Sequence, residues 1–194
     1  MKIAPSGTMS PGSTGVVRSP RLDVILIRSP SFKPIGVIRS PFSNVKGMPV
    51  QSVAAVGVKG TVELDPDLTQ GLNDLEGFSH IILIYYFHLN KGYSLYVIPF
   101  LDPALKGVFA TRAPRRPNGI GLSVVRLTGI QGNNLEIKDV DILDQTPLLD
   151  IKPFVPEFDH RDVQSTGWFA KGAQKASVIR ADRRFIDQTG NGPI

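Results

Sequence analysis

Three arginines are concentrated in residues 108–123, the stretch whose residue types and spacing are best suited to chemistry. Arg112, Arg115 and Arg116 are interleaved with two prolines and two glycines. Proline fixes φ and glycine permits close backbone approach, so the stretch is predicted to be a rigid loop that presents guanidinium groups. Guanidinium groups bind phosphate or carboxylate in a bidentate manner. The alternative is a barrel corner whose arginines simply lie at the surface.

A second polar stretch, residues 139–153, contains four aspartates interleaved with apolar residues. Asp144 and Thr146, close to Pro147, favour a turn whose groups recognise a ribose, an amine or an adenine edge. A calcium loop requires a different spacing of oxygen ligands. The stretch is therefore predicted to contact an organic ligand rather than a metal ion.

Several kinds of catalytic site are disfavoured by the composition. The chain has no cysteine, which excludes disulfides, thiolate ligands and a cysteine nucleophile. His80, His88 and His160 are too scattered to suggest a metal site, and His80 and His88 are interpreted as core or rim residues. Gly119-Ile120-Gly121 lacks the third glycine of the dinucleotide fingerprint, and no Walker lysine motif or nucleophile elbow is present. We expect no metal, and a hydrolase is the least favoured enzyme class.

Short apolar runs separated by turn residues indicate an all-β fold, a sandwich or barrel, to position these groups. The predicted strands are 35–40, 56–64, 81–88, 94–98, 107–111, 122–130 and 135–140. Gly132-Asn133-Asn134 predicts a hairpin between the last two, because Gly and Asn tolerate positive φ. Short helices are predicted at 67–75 and 159–163.

The chain is divided by composition into three predicted parts. Residues 1–30, rich in Ser, Pro and Gly, predict a flexible arm; residues 31–165 predict one β domain; residues 166–194 predict a basic tail. In the tail, Trp168 and Phe169 lie among basic residues, a combination that holds phosphates and stacks bases. The favoured alternative is that these aromatic side chains pack on the barrel.

The charge balance favours polyanionic partners. The formal net charge is +5 and the pI is about 9.6, and basic surfaces gain affinity for phosphates through counterion release. No apolar run approaches the length of a spanning helix, and no signal segment is evident. We expect a cytoplasmic protein without a membrane segment.

A series of short motifs, in order along the chain, resembles one protein family. The motifs are Ser40-Pro41-Phe42, Phe78-Ser79-His80, Phe109-Ala110-Thr111-Arg112, Arg116-Pro117-Asn118, Ile120-Gly121-Leu122-Ser123, Asp144 with Thr146-Pro147, and Asp150-Ile151-Lys152-Pro153. From about residue 35 to about residue 159 the chain resembles the TrmO (TsaA-like) family. Separated motifs in the right order are much more specific than a single short pattern.

The resemblance implies a single-sheet β-barrel with few short helices. It implies a homodimer that binds S-adenosylmethionine near the subunit interface, with tRNA as partner. It also implies methylation of the exocyclic adenine nitrogen of threonylcarbamoyladenosine, a modified base next to the anticodon. The basic charge agrees with a tRNA substrate.

Carried over position by position, the resemblance implies a set of cofactor contacts: Pro49, Val50, Gln51, Phe87, His88, Arg112, Leu122, Asp144, Gln145, Thr146 and Pro147. Two positions depart from the family pattern, which commonly has Pro-Arg-Gln in place of Pro49-Val50-Gln51 and Asp-Gly-Thr-Pro in place of Asp144-Gln145-Thr146-Pro147. A lost arginine and an added side chain at a turn are expected to alter substrate choice while sparing the cofactor site.

The substrate contacts are assigned to the arginine-rich loop, with Arg115, Arg116 and Asn118 as candidates. Arg116 and Asn118 are also the catalytic candidates, because they could bind the threonyl carboxylate or carbonyl oxygens. No residue is assigned as the general base. The alternatives are a non-catalytic S-adenosylmethionine- or RNA-binding barrel, and a methyltransferase with another substrate.

Overall fold

Eight β-strands form most of the regular structure in the computed structural model, which describes residues 31–186. The strands are β1 Gly36–Arg39, β2 Lys59–Leu64, β3 His80–Tyr86, β4 Tyr96–Val97, β5 Lys106–Gly107, β6 Ile120–Gln131, β7 Asn134–Lys138 and β8 Thr146–Pro153. The helical segments are one α-helix, α1, at Pro156–Asp159, and 3₁₀ turns at Ser52–Ala54, Pro66–Leu72, Leu75–Gly77, Val108–Ala110, Gly167–Lys171 and Ala173–Ser177. The predicted arm, residues 1–30, and residues 187–194 of the predicted tail lie outside the described residues.

Six of these strands form a closed antiparallel barrel. Their order around it is β1-β2-β7-β6-β3-β8, and β8 pairs with β1 to complete the circle. Closure gives every strand a hydrogen-bonded neighbour on both sides and so removes exposed sheet edges. The predicted all-β, single-sheet barrel with few short helices is confirmed.

Alternation along the strands builds the core of the barrel. In β3 the side chains of Ile81, Leu83 and Tyr85 are buried, whereas the residues between them are only partly buried. Successive side chains in a strand point to opposite faces, so one face fills the interior. From the facing strands, Leu135 and Ile137 are 0% and 1% exposed.

The predicted hairpin is confirmed between β6 and β7. Gln131 pairs with Asn134, which leaves Gly132 and Asn133 as a two-residue turn. Gly132 has a φ of 60°, a left-handed conformation that glycine adopts without steric cost. The Asn133 side chain donates a 2.6 Å hydrogen bond to the Leu64 carbonyl, so the turn is also fixed to the end of β2.

Strand β8 is the main element absent from the sequence-based prediction. It contains Asp150 and two prolines, residue types that are depleted in strands. Pairing with β3 on one side and β1 on the other overrides these weak propensities. Pro147 and Pro153 lie near its two ends, where a missing N–H disrupts the ladder least.

The prediction of a strand at 107–111 is wrong beyond its first residue. β5 ends at Gly107, and Val108–Ala110 forms a 3₁₀ turn. Thr111 closes this turn, since its side chain and its backbone N–H both donate to the Val108 carbonyl. The other predicted strands are observed with altered ends; for example, β2 begins only at Lys59, after Gly57 at φ 80°.

The two predicted helices are also altered. The expected helix at 67–75 is replaced by two 3₁₀ turns, and the first begins where the Asp65 side chain accepts from the Asp67 N–H. The expected helix at 159–163 is shifted towards the N-terminus, because Pro156 occupies the first position of α1, where its fixed φ suits a helix start. Across residues 31–186 we find no helix with the length and apolar character needed to cross a membrane.

Candidate functional site

Two adjoining chambers open at the end of the barrel where β3 ends and β6 begins. The smaller has a volume of about 140 Å³ and the larger about 450 Å³. Tyr85, Phe87 and Asp141 line both chambers. Together the two chambers fall within the size range of small-molecule sites in proteins.

The shared wall is aromatic, and a glycine makes room for it. The rings of Tyr85 and Phe87 meet edge to face, with centroids 5.5 Å apart. Gly121 lies opposite Tyr85 in the β3–β6 ladder, and a Cβ there would lie 2.5 Å from Tyr85 Cζ and 2.9 Å from Phe87 Cζ. These distances are too short for any side chain, so Gly121 is required for the rings to occupy this position.

A chain of hydrogen bonds leads from the aromatic wall to the partly buried carboxylate of Asp141. Tyr85 Oη lies 3.1 Å from Ser123 Oγ, and Ser123 Oγ donates to Asp141 Oδ1 at 2.7 Å. Burial raises the pKa of Asp141, although the Ser123 hydrogen bond and Arg112 act in the opposite direction. Burial and, secondarily, the Asp141 charge also raise the pKa of Tyr85, which keeps its hydroxyl protonated.

The smaller chamber is mostly apolar and has a few polar groups at its edge. Met48, Phe100 and Leu143 contribute apolar surface. His88 also lines it, with Nδ1 3.4 Å from Thr146 Oγ1. Desolvation lowers the pKa of His88, so the neutral imidazole is favoured at neutral pH.

Asn90 supplies an acceptor without a partner to the smaller chamber. Its Nδ2 donates to the carbonyls of Gly92 and Pro114, at 3.0 and 2.9 Å, and these two acceptors fix the orientation of the amide. Its Oδ1 is buried and has no hydrogen-bond partner within the described part of the chain. A buried acceptor is costly when unsatisfied, so this atom is suited to an N–H or O–H of a ligand.

The larger chamber is bordered by arginines from the predicted rigid loop. Arg112 Nη1 donates to Gln51 Oε1 at 2.9 Å, which links this loop to residues 45–51. Arg116 Nη1 donates to the carbonyls of Val108 and Thr111, at 3.1 and 2.8 Å. Arg116 therefore holds the loop in shape while it lines the chamber.

The C-terminal segment, residues 167–186, completes the walls of both chambers. Trp168 and Phe169 line the larger chamber, and Phe185 and Ile186 line the smaller one. The backbone of Ala181 exchanges hydrogen bonds with residues 47 and 48, both at 2.8 Å. Phe185 packs against a small buried cluster of Val97, Val108 and Ala113.

Most of the residues implied as cofactor contacts lie around these chambers. The larger chamber is lined by Pro49, Val50, Gln51, Phe87, Arg112 and Leu122. The smaller chamber is lined by Phe87, His88 and Thr146. Residues far apart in sequence are thus brought to one end of the barrel.

The other three implied cofactor residues do not line either chamber. The Asp144 side chain accepts a hydrogen bond from the Ser40 N–H at 3.1 Å, and the backbone N–H of Asp144 donates to the Phe42 carbonyl. Gln145 has a φ of 61°, a left-handed conformation for which the family's glycine is better suited than a side chain. Pro147 lies in β8 opposite Val37. Asp144 therefore anchors the turn that positions Thr146.

The substrate candidates are also separated by the structure. Arg116 lines the larger chamber, whereas Arg115 is only 3% exposed and does not line either one. Asn118 is exposed, and its carbonyl accepts from the Ile120 N–H at 2.7 Å. A buried Arg115 is placed to support the loop rather than to meet a large substrate.

Asp141 and Asn90 are site residues that sequence reasoning missed, whereas Trp168 and Phe169 were already singled out in the basic tail. Asp141 lies within the aspartate-rich stretch between Val140 and Ile142, and alternation alone would turn its side chain away from their buried face. Only its contact with Ser123 and its place in both chambers distinguish it from the neighbouring aspartates. Within residues 31–186 we find no group of three or more His, Asp or Glu residues arranged to hold a metal ion.

Comparison with known proteins identifies the family. Residues 37–160 match the model of the tRNA-methyltransferase O N-terminal domain. A probable S-adenosyl-L-methionine-binding protein of Pyrococcus abyssi is 54% identical over 160 residues, which cover 82% of this chain and 87% of that protein. The human tRNA (adenine(37)-N6)-methyltransferase is 35% identical over 66% of this chain, and the match spans only 30% of its length.

A solved structure supports the same family assignment. The crystal structure of TrmO from Pseudomonas aeruginosa superposes with a TM-score of 0.61 at 41% identity, covering 72% of this chain and 62% of that one. The matched family model covers the six barrel strands, except the first residue of β1, and most of the residues around the chambers. The chain belongs to the TrmO family.

Proposed function

We propose that this protein is an S-adenosylmethionine-dependent methyltransferase that acts on an adenine of tRNA. The observation that carries the proposal is the pair of adjoining chambers, which brings together aromatic, apolar, acidic and basic groups at one end of the barrel. The names of the relatives support both the cofactor and the reaction.

The residues present fit the cofactor. When bound, S-adenosylmethionine supplies a methyl group on a positively charged sulfur. Aromatic and apolar side chains such as Phe87, Met48 and Leu122 would hold its apolar parts, and the Asp141 carboxylate would favour its positive charge. The unsatisfied Asn90 Oδ1 is suited to accept from the exocyclic amine of its adenine.

Asp141 is also the group that we propose as proton acceptor. Methylation of an exocyclic nitrogen requires the loss of its proton, and Asp141 is the carboxylate that lines both chambers. Its raised pKa brings it closer to the range in which a general base works well at neutral pH. The hydrogen bond from Ser123 holds the carboxylate in place.

For the substrate we propose threonylcarbamoyladenosine next to the anticodon. The threonyl carboxylate of this base requires a cation, and Arg112 and Arg116 border the larger chamber. Asn118 in the same loop stays a candidate contact. The net charge of +5 supports a polyanionic substrate. Arg115 would act indirectly, through the loop that it supports.

We also propose a cytoplasmic homodimer with the cofactor near the subunit interface. The supporting observation is exposed apolar surface next to the larger chamber, where Ile120, Leu122 and Phe109 are 39%, 55% and 73% exposed. Burial of such surface against a second copy is favourable. Light scattering tests the dimer, and a monomer that retained full methyl transfer would contradict this arrangement.

Calorimetric titration with S-adenosylmethionine tests the cofactor site. Leu122→Ala is expected to weaken binding about tenfold, since it removes apolar contact worth roughly 1.5 kcal/mol. Leu95→Ala is the matched control, because Leu95 is 56% exposed and does not line either chamber. Equal affinities for the two variants would place the cofactor elsewhere.

Transfer of labelled methyl to tRNA tests the reaction. We expect label in tRNA that carries threonylcarbamoyladenosine and little in an unmodified transcript of the same sequence. The second candidate function is a non-catalytic S-adenosylmethionine-binding protein, which the description of the Pyrococcus relative favours. Cofactor binding by calorimetry without transfer to either RNA would select that function.

A further inference from the structure

We infer that the C-terminal segment, residues 167–186, provides a second recognition site beside the reaction site, where a nucleobase of the RNA stacks on the Trp168–Phe169 pair. The inference rests on the proposed function and extends it. It gives a structural role to the aromatic residues in the basic tail, which lie beyond residues 37–160 matched by the family model. The occupant is a base adjacent to the one that enters the chamber.

The aromatic pair has the geometry of a stacking platform. The two rings lie 3.8 Å apart between centroids, with an angle of 25° between their planes. Neither side chain is fully buried, and both line the larger chamber. Bases stack on such surfaces regardless of their sequence, because every base has an aromatic face.

The platform is fixed in position rather than free to swing. Trp168 Nε1 donates to the Ala110 carbonyl at 2.8 Å, which joins the pair to the arginine-rich loop. Gly172, just beyond the pair, packs so closely that a Cβ would lie 2.9 Å from the Leu101 carbonyl oxygen. Further on, Arg180 forms a backbone bridge with Pro49 at the chamber. A rigid platform loses little entropy when a ligand binds.

The charges around the platform suit a phosphate backbone. Residues 167–186 contain five basic residues and one acidic residue. Lys171 and Lys175 are exposed on the turns that carry the pair, whereas Lys106, whose Nζ lies 5.7 Å from the centre of the Trp168 ring, is paired with Asp102 at 3.2 Å. Arg112 and Arg116 line the same chamber as the pair. An aromatic pair among cations is the arrangement by which proteins hold unpaired nucleic acid.

Tryptophan fluorescence tests the inference directly, because Trp168 is the single tryptophan of the chain. The cofactor-free, full-length protein is titrated with a synthetic anticodon stem-loop RNA. We expect a saturable change in Trp168 emission as the base stacks. The emission signal depends on neither bound cofactor nor turnover.

Two variants separate stacking from general attraction. Phe169→Ala is expected to weaken RNA binding at least fivefold, in line with the roughly 1–3 kcal/mol that a base–aromatic stack contributes. Phe158→Ala removes an aromatic that is 70% exposed and does not line either chamber, so its affinity should match that of the wild type. Affinity is measured by anisotropy of labelled RNA, which also permits Trp168→Ala to be tested.

Four results would overturn the inference. If anisotropy shows RNA binding but Trp168 emission does not change, the RNA lies away from the aromatic pair. The same conclusion follows if Phe169→Ala binds the RNA as tightly as the wild type. An emission change with S-adenosylhomocysteine but not with RNA would assign the pair to the cofactor. Absence of RNA binding would also reject the platform. The proposed cofactor site is tested separately, by calorimetry on the same proteins.

Discussion

The middle of the barrel and its chamber end differ in the types of side chain that they bury and expose. In the middle, the closed sheet surrounds aliphatic side chains such as Val62, Leu135 and Ile137, each 0% or 1% exposed. At the chamber end, apolar side chains are exposed. The buried polar residues found within 31–186 also lie there, and they are Thr111, Arg115, Ser123 and Thr146. Thr111, Ser123 and Thr146 are compensated by hydrogen bonds, but within the same residues the buried Asn90 Oδ1 is not. An unsatisfied buried acceptor lowers stability, so the apolar barrel must offset its cost.

The same substitution in the two regions should give opposite results, and this is the largest expected effect. Leu135→Ala removes a fully buried side chain from β7 and is expected to lower the free energy of unfolding by about 2–5 kcal/mol. Leu122→Ala, at a side chain 55% exposed, should change stability by less than about 1 kcal/mol while it weakens cofactor binding. Urea unfolding and calorimetry measure the two quantities. A stability loss at Leu122 equal to that at Leu135 would erase the distinction.

A glycine pair in one strand sharpens the comparison. Gly121→Ala places a methyl group against the rings of Tyr85 and Phe87, and the resulting overpacking should cost about 1–3 kcal/mol and distort both chambers. Gly129→Ala, also in β6, meets only the exposed Glu136 side chain, at 3.4 Å. We expect a fall in melting temperature and in S-adenosylmethionine affinity for Gly121→Ala alone. Similar losses in both variants would mean that the effect belongs to the strand rather than to the aromatic wall.

The sequence predicted the barrel better than the chamber end, for a physical reason. Short apolar runs bounded by turn residues and the glycine–asparagine turn are local signals, so strands such as β3 and the β6–β7 hairpin could be located from short windows. Strand β8 could not be located in this way, because its prolines and Asp150 disfavour a strand. It is stabilised only by pairing with its two neighbours in the barrel. Barrel closure is a long-range property that no short window contains.

Within the site, the family resemblance indicated which residues converge but not what each does. Asp144 and Thr146 are two positions apart, yet Thr146 lines a chamber whereas Asp144 holds the Ser40–Phe42 backbone. Trp168 and Phe169 looked like part of a separable tail, and only the fold brings them beside Arg112. The spacing of residues fixes neither of these outcomes, since each depends on contacts between distant segments.

The partly buried carboxylate of Asp141 gives a pH-dependent test of the balance between stability and function. Because the pKa of Asp141 is raised in the folded protein, folding favours its protonated form. This contribution to stability is present below its ordinary pKa of 3.8 and is lost as pH rises through the folded pKa. Asp141→Asn mimics the protonated form, so the variant should become the more stable protein at neutral pH and lose that advantage towards pH 4.

Thermal unfolding across this pH range measures the effect. Asp150→Asn is the control, since that carboxylate is 43% exposed and pairs with Lys152 at 2.8 Å; its effect should stay below about 1 kcal/mol. A more stable Asp141→Asn protein that binds or transfers poorly would show that the carboxylate is kept for function. A variant that is less stable at neutral pH would instead make Asp141 a structural group.

The smallest effect is expected on the outer surface of the barrel, at the ion pair between Arg39 of β1 and Glu63 of β2. Their side chains are 44% and 45% exposed and lie 2.9 Å apart. An exposed pair of this kind contributes about 0–1 kcal/mol and is screened by salt. Glu63→Gln should therefore lower the free energy of unfolding by less than 1 kcal/mol, and the difference should vanish in about 1 M salt. A larger loss of unfolding free energy that persists in salt would show that the pairing of β1 depends on this surface contact. The apolar interior alone would then not be enough to hold the barrel closed.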